Sequence, residues 1–303
     1  MRLPNLIVAG TPKAGSSSLF YWLKAHPEVY GAASKETFYF MDRDSIMFKP
    51  EANYHLHGLD GYQAFFPNCP EEAKIVVEAT PHYIYQKTAL DFFASCDPQP
   101  HIIFLLRKPS KRIFSDFSFT QNYLGYLDSR LTFNRVTDLL LNDGRDRLED
   151  LGYSNQDFLR QWLEDQLPNN RYYEVINRWA KHFPPEKIQI LLFEKMVANP
   201  VETLCSVSER LGIDANFYRE FHFEKRTQTM AIKNKLVHQL LLKFAPYLSS
   251  SRLRSTLKSM YFKLNSSAVK PAELESLRRL DDYFRPHNQQ LAEAFNLNLD
   301  CWN

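Results

Sequence analysis

Leu6-Ile-Val-Ala-Gly10-Thr-Pro-Lys13-Ala14-Gly15-Ser16-Ser17-Ser18-Leu19 begins as an apolar run, turns through a loop holding two glycines and a lysine, and enters an amphipathic stretch through three serines. Asn5–Ala9 predicts a buried strand, Gly10–Gly15 a loop, and Ser16–Ala25 a helix with Leu19, Trp22 and Leu23 on one face; His26-Pro27 stops it. The same unit recurs along the chain. Lys74–Glu78, His101–Leu106 and Ile188–Phe193 are further strand-length apolar runs separated by helical patterns. Pro109 opens a helix carrying Ile113, Phe114 and Phe117, and Val201–Leu211 forms another. Between them, Phe133 to Ala180 is mainly helical, with Leu139, Leu140, Phe158, Trp162 and Trp179 as core candidates. Continuous apolar strands alternating with helices predict an α/β fold, a central parallel sheet flanked by helices, with a mainly helical C-terminal region. With no repeat and no Pro/Gly-rich linker, residues 1–303 read as one domain of P-loop-like type.

A loop joining a strand to a helix presents the unpaired first N–H groups of that helix, and its dipole favours an anion. Gly15 lets backbone approach the anion, Ser16, Ser17 and Ser18 add hydroxyl donors, and Lys13 brings a full positive charge. An ordinary strand-to-helix loop with a capping serine is the plain alternative. A Walker A loop is the other: Gly10 and Gly15 have its glycine spacing, but Ser16 stands where its lysine belongs and Lys13 comes three residues early. No apolar strand ends on the aspartate a magnesium-dependent nucleotidase uses, so a phosphate-type anion without an obligatory metal fits better.

Composition removes several other classes. The 303 residues are 44% hydrophobic and 24% charged, with 23 Phe, 16 Tyr and 4 Trp, which excludes an intrinsically disordered chain; nine glycines exclude a fibrous one. Lys and Arg number 37 against 35 Asp and Glu, a net +2, which argues against a whole-surface nucleic-acid binder. No apolar run approaches the roughly 18–20 residues of a membrane span. Cys69, Cys96, Cys205 and Cys301 form no C-x-x-C pair, which with the lack of a signal-peptide pattern points to a cytoplasmic protein. Charge is uneven along the chain: Glu224 to Lys270 holds ten Lys/Arg and one acidic residue. That stretch, with Leu240, Leu241 and Leu242 in a row, reads as solvated basic helices, a cap over a bound nucleotide, or a peripheral membrane or amphiphile contact.

The order Thr-Pro-Lys-x-Gly-Ser-Ser-Ser-Leu resembles the 5′-phosphosulfate loop of sulfotransferases that use 3′-phosphoadenosine 5′-phosphosulfate (PAPS). A second motif agrees with the first. Arg107-Lys-Pro, with Ser115 eight residues after the arginine, is similar to that family's 3′-phosphate site, where Arg107 would offer a planar fork and Ser115 a hydroxyl. Lys35-Glu36-Thr-Phe38-Tyr-Phe40 and Glu78-Ala79-Thr-Pro81-His82-Tyr83 resemble segments of the heparan-sulfate sulfotransferase branch, and the likeness runs over about residues 5–213. Two positions depart: that branch has His where Phe38 stands and Lys where Ala79 stands, so its glycosaminoglycan acceptor does not carry over.

The resemblance implies a PAPS-dependent transfer of a sulfuryl group to a hydroxyl, less so an amine, of a small-molecule or glycan acceptor, without a metal, releasing adenosine 3′,5′-bisphosphate. It implies donor contacts from Lys13, Ala14, Gly15, Ser16, Ser17, Ser18, Arg107 and Ser115, with Lys225 and Arg226 as candidates to cap the 3′-phosphate. Lys13 would neutralise the leaving oxygen and Glu36 would be the general base, with His82 as the rival base. Glu36 alternatively pairs with Lys13 or Lys35 as a structural ion pair. A small-molecule kinase of P-loop type and a non-catalytic nucleotide- or membrane-surface-binding protein remain as other readings.

Overall fold

A computed structural model describes residues 2–142, 152–223, 231–232, 266–267 and 271–303. They fall into two compact units: one from residues 2–108, 171–223 and 287–303, the other from 109–170 and the described part of 228–286.

The first unit is built on five parallel strands, β1 (Leu6–Gly10), β2 (Val29–Gly31), β3 (Ile75–Glu78), β4 (His101–Leu106) and β5 (Ile188–Leu192), in the order β2-β3-β1-β4-β5. Alternation along each strand divides the side chains between two cores. Ile7, Ala9, Val76, Ile102 and Phe104 face one; Leu6, Val8, Ile75, Val77, Ile103 and Leu105 face the other. Both sets are buried, so the strands read as unbroken apolar runs rather than alternating ones.

The helices α1 (Ser16–Lys24), α2 (Tyr54–Gln63) and α3 (Lys87–Ser95) belong to this unit, and α4 (Pro109–Phe119), α5 (Phe133–Leu141) and α6 (Gln156–Asn169) to the second. The chain then returns to the first unit with α7 (Tyr172–Ala180), α8 (Phe193–Ala198) and α9 (Pro200–Leu211). Leu19, Phe20, Trp22 and Leu23 of α1 and Leu204 and Val207 of α9 cover one sheet face; Phe92 and Phe93 of α3 and Val175, Ile176 and Trp179 of α7 cover the other. At α9 a Pro200 start, an Asn199 side chain accepting from Glu202 N at 3.2 Å and Gly212 after the last turn set both ends.

The second unit is helical. Ile113 and Phe117 of α4, Val136 and Leu139 of α5, Leu159 and Trp162 of α6, and Leu280 and Phe284 of α10 (Pro271–Phe295) make its core. Phe114 and Phe158 pack against that core half-buried. No helix among the described residues is long and apolar enough to cross a membrane.

The α/β architecture matches the expectation from sequence, with small shifts in bounds. The three-residue strand β2 is an addition. It is too short to show a period, and pairing with β3 defines it, Val29 opposite Ile75 and Gly31 opposite Val77. The basic stretch, including Lys225, Arg226 and Leu240–Leu242, lies outside the described residues apart from the short pair Ala231–Ile232 with Ser266–Ser267.

Phe104 lies at the middle of β4, fully buried, with its ring edge-on to Trp179 at 5.6 Å. Phe104→Ala is expected to cost about 3–5 kcal/mol, read as a lowered urea midpoint at unchanged slope.

Candidate active site

All five strands run the same way, so the segments after their C-terminal ends share one edge. The sequence leaves β1 toward β2 and β3 on one side, while β4 and β5 lie on the other, which makes the crevice between β1 and β4 the switch point where ligands of open α/β sheets bind. The loop Gly10–Gly15 sits there. Thr11 N donates to Leu105 O at 2.7 Å and Thr11 Oγ1 to the same carbonyl at 3.2 Å, which anchors the loop to β4.

Gly15 has φ 92°, and a Cβ there would meet the Phe193 ring at 2.8 Å. Gly10 is equally confined, since a Cβ would lie 2.6 Å from Ile84 Cβ. Lys13 also takes a left-handed backbone, φ 66°. The helix α1 that follows has no side-chain cap and no acidic residue in its first turn, so its own sequence offsets none of the positive end of its dipole. Ala14 and Ser16 are buried, while Ser17 and Ser18 are half-exposed.

Arg107, directly after β4, reaches this loop. Its Nη1 donates to Lys13 O at 3.2 Å, and its guanidinium carbon lies 4.8 Å from the centre of the Phe193 ring. The backbone around it is held on both sides: Tyr172 Oη donates to Arg107 O at 2.9 Å, and Lys108 N donates to Glu194 Oε1 at 3.2 Å. Glu194 Oε2 in turn accepts from Trp302 Nε1 at 2.8 Å. Ser115 lies in α4 of the second unit with its side chain buried.

On the other side of β1, the strand β3 ends at Glu78 and carries the remaining candidates. Glu36 N donates to Ala79 O at 3.1 Å, extending the parallel pairing beyond the sheet. Glu36 and Phe38 both have left-handed backbone, φ 65° and 54°. The Glu36 carboxylate is about one-third exposed, 32%, and forms an ion pair with the nearly buried Lys35. Of the two structural partners considered from sequence, Lys35 is thus the one observed. His82 lies in the short turn Pro81–Tyr85, its ring 5.5 Å from that of Phe38, and Lys49 Nζ sits 5.0 Å from the Phe38 ring centre.

Next to Glu36 the two segments singled out by resemblance meet in a buried polar cluster. Glu78 is fully buried; its Oε1 accepts from Thr80 Oγ1 at 2.6 Å and from Thr37 Oγ1 at 3.4 Å. Thr37 Oγ1 also pairs with the Tyr83 hydroxyl at 2.8 Å. Burial pushes the Glu78 carboxyl up to about 7, against the opposing pull of the Thr80 and Thr37 hydroxyls and the Lys35 charge. Burial and this carboxyl together raise the neighbouring Tyr62 and Tyr83 phenols. Phe193 was invisible as a site residue: it looked like the last residue of a strand, and only its ring against Gly15 and Arg107 reveals its place.

With this geometry in view, the comparisons with known proteins have a structural footing. A family model described as the sulfotransferase domain matches residues 3–240, and the chain belongs to that family. It is 27% identical over 223 residues to bifunctional heparan sulfate N-deacetylase/N-sulfotransferase 1 of Caenorhabditis briggsae, covering 73% of this chain and 23% of that protein. It is 24% identical over 284 residues to the membrane-associated sulfotransferase kil1 of Dictyostelium discoideum, covering 72% of this chain and 58% of that one. The chain thus spans less than a quarter of the heparan sulfate relative. A solved sulfotransferase from Alicyclobacillus acidocaldarius superposes with a TM-score of 0.65 at 18% identity, covering 100% of this chain and 99% of that one, and shares its fold.

The Glu78 carboxyl sets a pH dependence of stability. Between its unfolded value near 4.5 and its native value of about 7, the folded protein holds a proton that the unfolded chain has released, so stability falls as pH rises through that window. Glu78→Gln is expected to remove up to about 3 kcal/mol of this fall. Urea titrations of both proteins from pH 4.5 to 7.5 measure the difference in slope; parallel curves would contradict it.

Proposed function

We propose that this chain transfers a sulfuryl group from PAPS to a hydroxyl of a small-molecule or glycan acceptor. The observation that carries the reading is the convergence, at the sheet's switch point, of an uncapped helix N-terminus and Lys13 on one loop with the Arg107 guanidinium that reaches it from the end of β4. Such a site suits a ligand with more than one anionic group. The left-handed Gly15 turn, closed to a Cβ by Phe193, leads directly into the first N–H groups of α1, the kind of backbone a phosphate binds.

In this reading Lys13 to Ser18 hold the 5′-phosphosulfate, and Arg107, with Ser115, Lys225 and Arg226, holds the 3′-phosphate. The bond from sulfur to the bridging phosphate oxygen breaks as sulfur bonds to the acceptor oxygen. The electron pair leaves with adenosine 3′,5′-bisphosphate, and the acceptor proton passes to the Glu36 carboxylate. Lys13 and the loop N–H groups oppose the charge that develops on the leaving oxygen. On the acceptor side Phe38 and Ala79 offer no hydrogen bond where the heparan-sulfate branch has His and Lys. This favours an acceptor other than a highly charged polysaccharide.

Adenosine 3′,5′-bisphosphate at about 100 times its dissociation constant is expected to stabilise the protein by about 2.7 kcal/mol without magnesium, seen as a rise in Tm. Arg107→Ala should weaken that binding by about ten- to a hundredfold, the cost of a charge-assisted hydrogen bond of roughly 1.5–3 kcal/mol. An equal or larger rise with magnesium and ATP would favour the kinase reading instead.

Glu36→Gln is expected to keep the fold and donor affinity and to lose about 10²–10⁴ in turnover. His82→Ala, assayed beside it at saturating PAPS, should lose far less. A dead but folded His82→Ala protein next to a near-normal Glu36→Gln protein would move the base to His82.

A further inference from the structure

We infer that Glu78 is a positioning residue for Glu36: its buried carboxyl, through Thr37 and Thr80, holds the Glu36–Phe38 turn in the conformation that aims Glu36 at the acceptor. The inference rests on Glu36 being the base. Its own support lies in the hydrogen bonds that converge on this turn.

Glu36 and Phe38 occupy left-handed backbone on either side of Thr37. For residues with a Cβ this conformation is disfavoured, and two of them within three residues persist only where surrounding contacts over-determine the backbone. Hydrogen bonds from the neighbouring segment supply those contacts. Glu36 N is fixed to Ala79 O. Phe38 N lies 3.4 Å from Thr80 Oγ1, which donates to Glu78 Oε1. Tyr39 N donates to the Tyr83 hydroxyl at 3.0 Å and lies 3.3 Å from Thr37 Oγ1. The Thr37 hydroxyl reaches both Tyr83 and Glu78.

Glu78 Oε1 is therefore the shared acceptor for the two threonines that grip the turn. A fully buried carboxyl at the end of an apolar strand is costly to keep for packing alone, since an apolar side chain of similar volume fills the space without desolvating charge. The network gives it a task. Orienting the turn needs an acceptor at Oε1, whereas filling the core needs only volume.

That distinction sets the experiment. Release of adenosine 3′,5′-bisphosphate from PAPS is measured with water as the acceptor, so no acceptor need be known. Glu78→Met keeps volume and removes the acceptor: Tm at pH 7.5 should hold or rise, affinity for adenosine 3′,5′-bisphosphate should stay within about threefold, and kcat should fall about ten- to a hundredfold. Glu78→Gln keeps one acceptor oxygen and should restore most of that loss. Thr37→Val should behave as Glu78→Met does, and Thr37→Ser as wild type.

A Glu78→Met protein within about threefold of wild-type kcat, where Glu36→Gln is inactive, would overturn the positioning role and leave the base in place. A Glu36→Gln protein near wild type would remove the base reading and this inference with it. If Glu78→Met does not fold, the Thr37 pair decides: loss in Val with retention in Ser supports the role, and equal activity in both overturns it.

Discussion

Phe193 fills the volume that any side chain at position 15 would need, and its ring also carries the Arg107 guanidinium. This one aromatic contact joins the ends of β1, β4 and β5. It excludes a Cβ at Gly15, so the backbone there keeps the left-handed turn that bares the N-terminus of α1. It also supports the planar cation whose Nη1 bonds the carbonyl of Lys13. The next residue, Glu194, takes the amide of Lys108 and the indole of Trp302, so the anchoring continues outward from the ring. The charge and shape of the anion site therefore depend on an apolar residue that meets no anion in this reading.

Cationic groups gather after β1 and β4, whereas the carboxylates Glu36 and Glu78 sit with β3, on the far side of β1. Neighbouring strands are about 4.8 Å apart, so the segment after β4 and the end of β3 flank β1 at short range. Lys35 occupies the boundary, paired with Glu36 and lowering the proton affinity of Glu78.

Much of this was readable from residues. Gly10, Lys13, Gly15 and the serines lie at the end of an apolar run, where strand-to-helix geometry has a fixed chemical meaning. Arg107 lies at the end of another. Glu36 was different. No periodicity marks it, and only its resemblance to a Lys-Glu segment singled it out. Glu78 stands in a segment that resembles the family, but its burial is not legible there, because burial is a property of what packs around it: Thr37, Tyr62 and Tyr83. Phe193 was hidden for the same reason. Its partners are Gly15 and Arg107, and a contact across that much sequence leaves no local pattern.

That separation in sequence has a consequence for how the protein comes into being. Leu6 of β1 pairs with Val77 and His101, and the loop Gly10–Gly15 has all its contacts only when Arg107 and Phe193 have joined it. At roughly 5–20 residues per second of synthesis, on the order of ten seconds pass between the emergence of Lys13 and that of Phe193. Until β3 and β4 have emerged, Leu6, Ile7 and Val8, all fully buried in the finished protein, have no strand to pair with. Parallel pairing between distant segments closes slowly and leaves apolar strands open to aggregation meanwhile. Helix formation in α1 is local and needs none of these distant partners, whereas the loop before it has all its contacts only once β5 is in place.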